Sequence, residues 1–129
     1  MIKKQFTLYL PNRRGELANV TKKLANAGIN IEGISVSAST DVALVQIVTS
    51  TSGKAGDILR RGRIPFTAQD VAVLPLKNRP GELYRSVEKL AEAGININYI
   101  YATACSCPQD CNCLAIVSAP DLKKVVAAW

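Results

Sequence analysis

The chain contains no histidine. That removes at one stroke the commonest general base and the commonest metal ligand. Aromatic residues are only 5% of the 129 residues, so a core has to be assembled from Ile, Leu, Val and Ala. No apolar run approaches the ~20 residues of a membrane span, and the N-terminus lacks the apolar segment of a secretory signal. With 48% hydrophobic residues, the expectation is a folded cytoplasmic protein with reduced thiols. No phosphate-cradling glycine loop, nucleophile–base pair or carboxylate dyad is recognisable, so the chain reads as a non-enzyme.

The net charge of +6, from 16 basic and 10 acidic residues, permits an acidic partner without demanding one. The cations are dispersed, and only Arg60-Arg61-Gly62-Arg63 is a tight cluster. A solvated helix C-terminus, where the dipole favours cations, explains that cluster better than a nucleic-acid patch does.

What the sequence does contain is a repeat. Asn12-Arg13-Arg14-Gly15-Glu16-Leu17 recurs 66 residues later as Asn78-Arg79-Pro80-Gly81-Glu82-Leu83, and Ala27-Gly28-Ile29-Asn30-Ile31 as Ala93-Gly94-Ile95-Asn96-Ile97. Between Asn12–Ile34 and Asn78–Ile100, 14 of 23 positions are identical. Two duplicated units of about 60 residues are each marginal alone, so they are expected to pack together or to pair with another chain.

Within the first unit, residues 1–68, Gln5–Leu10 alternates as a half-buried strand ended by Pro11. Leu17, Val20, Leu24 and Ala27 make the apolar stripe of a helix that starts at Glu16 and stops at Gly28. Ile29–Ala38 reads as a strand with a bulge near Glu32-Gly33. A turn at Ser39-Thr40-Asp41 leads to a strand over Val42–Thr49. A helix over Lys54–Arg61, closed by Gly62, and a short strand over Ile64–Ala68 complete the unit. The order is βαββαβ, the ferredoxin-like split-βαβ arrangement of the α+β class. The second unit, residues 69–129, repeats it with a strand over Val71–Leu76, a helix over Glu82–Ala93, strands over Ile95–Ala104 and around Leu114–Ser118, and a helix over Asp121–Ala128 opened by Pro120. It has no fourth strand. The edge of Val71–Leu76 is thereby bared, and a covering segment is expected, either Ile64–Ala68 or a second chain.

A βαββαβ unit with Asn-Arg-(Arg/Pro)-Gly-Glu-Leu after its first strand and Ala-Gly-Ile-Asn-Ile at the start of its second resembles the ACT domain. The second copy matches the loop pattern better, because the first has Arg14 where Pro80 stands in the second. The chain looks most similar to small free-standing proteins made of two ACT repeats. The resemblance implies a regulatory module without catalytic chemistry that binds a small ligand, most often an amino acid, where two ACT units meet. It implies contacts from Asn12, Arg13, Arg14, Gly15, Glu16, Leu17, Asn78, Arg79, Pro80, Gly81, Glu82 and Leu83 in the loops. Asn30, Ile31, Asn96 and Ile97 would contribute from the neighbouring unit's strand. A homodimer and a regulated enzyme partner are the associated expectations. If one site alone is used, the Asn78–Leu83 loop is the expected one. The chemistry of the residues agrees: helix-start N–H groups attract a carboxylate, glycine lets it approach, and asparagine can donate or accept. The same residues would also serve as an ordinary turn and helix cap.

All four cysteines lie between Cys105 and Cys113. This stretch replaces the Ser39-Thr40-Asp41 turn of the first unit. A hairpin turning at Pro108-Gln109-Asp110 would set Cys107 opposite Cys111 and Cys105 opposite Cys113. Three readings stand: a four-thiolate site for zinc or an iron–sulfur centre, a reversible disulfide pair, or reduced thiols without a role. The first two make a metal- or redox-responsive sensor the alternative function. Alternation also predicts Ile100, Ala102 and Ala104 toward the helices, with Tyr99, Tyr101, Thr103, Val117 and the cysteines on the opposite face.

Overall fold

The computed structural model describes residues 1–103 and 112–129. Its elements are β1 (Ile2–Pro11), α1 (Glu16–Asn26), β2 (Ile31–Ala38), β3 (Val42–Thr49), α2 (Ser52–Arg61) and β4 (Phe66–Lys77). They continue with α3 (Glu82–Glu92), β5 (Tyr99–Ala102), β6 (Asn112–Ser118) and α4 (Leu122–Ala128). The chain forms two compact units, Lys4–Gln69 and Met1–Lys3 with Asp70–Trp129. No helix among the described residues is long and apolar enough to cross a membrane.

In the first unit the strands run in the order β2-β3-β1-β4. β1 pairs with β3 in antiparallel register from Gln5↔Val48 to Pro11↔Val42, which sets Phe6 beside Ile47 and Leu8 beside Val45. These side chains pack with Val20 and Leu24 of α1 and Leu59 of α2 in one buried cluster. Each fully buried aliphatic side chain stabilises the fold by about 1.5–3 kcal/mol. The expected bulge is present: the β2–β3 register shifts between Ile31 and Gly33.

The second unit has the order β4-β6-β5. Ala72, Leu74 and Val117 pack against Leu90 of α3 and Val125 of α4. Asp121 caps α4 by accepting the Lys124 N–H at 3.1 Å, with Pro120 one residue earlier. Tyr99 pairs with Ser118 and Tyr101 with Ile116, while Ile100 pairs with Val117. Val117 therefore shares the helix-side face with Ile100, not the tyrosine face expected of it. Cys113 pairs with Leu76, is buried, and lies on that same helix-side face by alternation with Ala115 and Val117. Ala104, Cys105, Cys107 and Cys111, and so the hairpin turn and the proposed sulfur cluster, lie outside the described residues.

Two strand expectations need correction. Ile64–Ala68 and Val71–Leu76 are not separate strands, because Phe66–Lys77 is one element. The polar Gln69-Asp70 step resembles a linker in sequence, but polar residues in a partly exposed stretch of strand do not end it. Nor does Ile64–Ala68 cover the bared edge of β4 in this unit. The Val73 N–H donates to the Met1 carbonyl at 2.7 Å and the Val73 carbonyl accepts from the Met1 nitrogen at 3.1 Å. Two residues on, Pro75 faces the same edge, where its missing N–H leaves nothing unpaired. Its carbonyl accepts the Trp129 indole N–H at 2.8 Å. The equivalent residue of the first unit is Tyr9, whose N–H donates to the Pro65 carbonyl at 3.0 Å. Proline thus stands where the first repeat has a residue that needs a neighbouring strand.

Candidate functional site

The two loops have the same backbone. Gly15 and Gly81 hold φ of 86° and 84° and cap α1 and α3 without a side-chain hydrogen bond. A residue with a Cβ resists that left-handed conformation, so the sequence demand for glycine is conformational. Because no side chain caps the helices, the N–H groups of Leu17 and Ala18, and of Leu83 and Tyr84, find no acceptor among the described residues. They face solvent at the positive end of each helix dipole, a setting that attracts a carboxylate.

Side chains brace the loops differently. Asn12 is not a cap. Its amide donates to the Ser39 carbonyl at 3.0 Å and the Thr40 carbonyl at 3.4 Å, tying the loop to the β2–β3 turn. Arg13 donates to Glu16 at 2.7 Å. In the second copy Glu82 accepts from two arginines, Arg79 at 2.6 Å and Arg85 at 2.9 Å. Hydrogen bonds from Arg85 and then Arg79 hold its carboxyl below the usual carboxylate range. Arg85 occupies the position of Asn19, so this second clamp is particular to the second repeat. Spacing alone did not flag it.

The strand-start residues are elsewhere. The Asn30 N–H donates to Ser50 Oγ at 3.0 Å, and its side chain, like that of Asn96, is exposed. Ile31 and Ile97 pack against the two cores, so their side chains are occupied. β2 runs parallel to β1, since both are antiparallel to β3. Asn30 therefore sits at the end of the sheet opposite the Asn12–Gly15 loop, roughly 20 Å away at the rise of an extended strand. No single unit brings the two halves together.

Each loop instead flanks a cleft within its own unit. A cleft of about 540 Å³ in the first unit is lined by Tyr9, Pro11, Glu16, Asn19, Val20, Asp41 and the Gly62–Pro65 segment. Arg63 in that segment adopts a left-handed φ of 54°. A cleft of about 430 Å³ in the second unit is lined by Pro75, Leu76, Lys77, Arg79, Glu82, Ser86, Lys89 and Trp129. Sequence reading named Arg79 and Glu82 of this group and missed the others.

Among solved structures, a protein of Bacteroides thetaiotaomicron superposes with a TM-score of 0.88 at 24% identity, covering 99% of this chain and 86% of that one. The ligand-free regulatory subunit of aspartate kinase from Thermus thermophilus gives 0.70 at 17% identity, covering 97% and 89%. Escherichia coli aspartokinase III in complex with lysine and aspartate gives 0.54 at 21% identity, covering 97% of this chain and 30% of that one. At these identities the likeness is one of fold. A search of curated proteins finds no match. The sequence model of the ACT domain pair matches residues 1–107. With its two βαββ-type repeats, glycine-led helix starts and matching sequence model, the chain belongs to the ACT domain family as an ACT domain pair.

Proposed function

We propose that the chain is a non-enzymatic cytoplasmic regulator that binds an amino acid where two ACT units meet, in a homodimer, and reports occupancy to a partner enzyme. The observation that carries this reading is the pair of uncapped helix starts behind Gly15 and Gly81, each offering free N–H groups at a positive dipole end. A ligand α-carboxylate fits those groups. The separation of loop and strand start supports a second ACT unit as supplier of Asn30 or Asn96. Linkage then provides the mechanism: a ligand that touches two units favours the arrangement in which both are in reach, and a partner reads that arrangement. The resemblance to aspartate kinase structures, one a regulatory subunit and one an aspartokinase in complex with lysine and aspartate, makes those two amino acids the first to try.

Thermal denaturation against the twenty amino acids tests the proposal. A ligand at 100 times its dissociation constant that binds only the folded state adds about 2.7 kcal/mol. At least one amino acid should raise the melting temperature and strengthen dimerisation in sedimentation equilibrium. Twenty flat responses would sink the proposal.

A further inference from the structure

The two clefts occupy the same place in the two repeats, yet their chemistry is opposite. The 66-residue shift converts Tyr9 to Pro75, Pro11 to Lys77 and Val20 to Ser86. In the first cleft Glu16 and Asp41 outweigh Arg63. In the second, Lys77, Arg79 and Lys89 stand against Glu82, a side-chain net charge of +2. Lys77 and Lys89 have no ion-pair partner among the described residues. Ser86 is 9% exposed on the cleft floor, and its hydroxyl has no hydrogen-bond partner among the described residues. That hydroxyl is open to the cleft, since Thr49 Oγ1 alone is a buried side-chain atom without a partner among the described residues, and cations gathered in a cleft repel one another. The repulsion falls when an anion enters.

We propose that the second-unit cleft is a separate binding site for a small organic dianion, a dicarboxylate or a phosphate monoester. Lys77 and Lys89 neutralise its charge. The Ser86 hydroxyl donates to one anionic oxygen. The apolar carbons of the ligand lie against Leu76 and the indole of Trp129, which Pro75 holds by its carbonyl. A volume of about 430 Å³ falls in the lower part of the range of small-molecule pockets, about 300–1,000 Å³. The site lies within one unit, so it needs neither a second copy nor an amino acid at the loops.

Trp129 is the sole tryptophan of the chain, so its emission reports the cleft directly. The full-length protein is titrated with succinate, with glycerol phosphate and with neutral succinamide at low ionic strength. A saturable change with one or both dianions, none with succinamide, and weakening by salt is the expected result. A response to one dianion alone assigns the class. Lys77→Ala and Lys89→Ala should each raise the Kd about tenfold, the loss expected for one charge-assisted hydrogen bond. Both side chains are exposed, so the fold survives their removal. Lys22→Ala removes the same charge from an exposed site outside the cleft and should leave the Kd unchanged. An unchanged emission with both dianions at millimolar concentration overturns the proposal. So does an unaltered Kd in the Lys77→Ala, Lys89→Ala double variant, or an equal response to succinamide. Amino-acid binding by thermal shift is scored separately, so either reading can fail alone.

Discussion

Replacing Gly15 and Gly81 by alanine, one at a time, separates backbone conformation from side-chain bracing. The two residues share a left-handed φ, 86° and 84°. For an L-residue that conformation costs about 1–2 kcal/mol. A Cβ on Gly15 meets nothing within 4 Å, so Gly15→Ala should lose only that amount. A Cβ on Gly81 would stand 3.0 Å from Arg85 Nη1. The guanidinium has to give by a few tenths of an ångström, which strains its 2.9 Å bond to Glu82. Gly81→Ala should therefore lose more at neutral pH, and the excess should depend on pH. Because Arg85 and Arg79 lower the Glu82 pKa in the folded state, their stabilisation is fully present above the ordinary value of 4.5. It disappears as pH falls and the folded carboxylate takes up its proton. Urea unfolding of both variants at pH 7 and in strongly acidic buffer gives the comparison. The excess of Gly81→Ala over Gly15→Ala should shrink in acid. Equal losses at pH 7, or an excess that survives protonation of Glu82, would refute the assignment of Arg85 as the brace.

Four further outcomes follow from the packing. Trp129→Phe keeps most of the ring but removes the donor to Pro75, and should cost about 0.5–1.5 kcal/mol in urea unfolding. Trp129→Ala also uncovers the β4 edge and should bring concentration-dependent self-association by light scattering. Leu24→Ala and Leu90→Ala, at 1% and 0% exposure in the two cores, should each cost about 2–5 kcal/mol. Burial, and then the neighbouring Tyr99, push the Tyr101 hydroxyl well above the ordinary tyrosine value of 10.0. Its contribution to stability is present below that value and is lost as pH rises beyond it, so alkaline difference spectra should show one tyrosine ionising only with unfolding.

Much of the fold was legible because the apolar period changes from 2 to 3.6 at each strand-to-helix step. Phe6, Leu8 and Leu10 alternate into the first core, and Val20 and Leu24 return to it at helical spacing. The Glu32-Gly33 irregularity was visible for the same reason, as an interruption of alternation. The merged strand Phe66–Lys77 was not, because Gln69 and Asp70 look alike whether they lie in a loop or in a partly exposed stretch of strand. Ile2–Lys4 was also missed as the start of β1, since two adjacent lysines mask the pattern. At the site, the loops were found by repetition, but their partners were not. Ser86, Lys89 and Trp129 reach the second cleft through helix geometry and chain return. The exception is Pro75: a proline inside a strand pattern already marks an edge.

The differences between the repeats share one cause. Among the described residues the edge of β4 at Pro75 meets the Trp129 indole and no strand, so that position needs no N–H, and Pro75 stands where the first repeat has Tyr9. The wall that Gly62–Pro65 gives the first cleft is lost, and Trp129 stands in the second. An indole is held by one hydrogen bond, whereas a strand is held by a ladder. The duplicated loops keep one shape in both copies, and the cleft beside each was free to diverge. Lys77 and Ser86 in place of Pro11 and Val20 mark that divergence: cation and hydroxyl arrived at the cleft whose wall is a single side chain. An ACT pair built this way keeps one loop shape in both units and, beside it, clefts whose charge differs between the units.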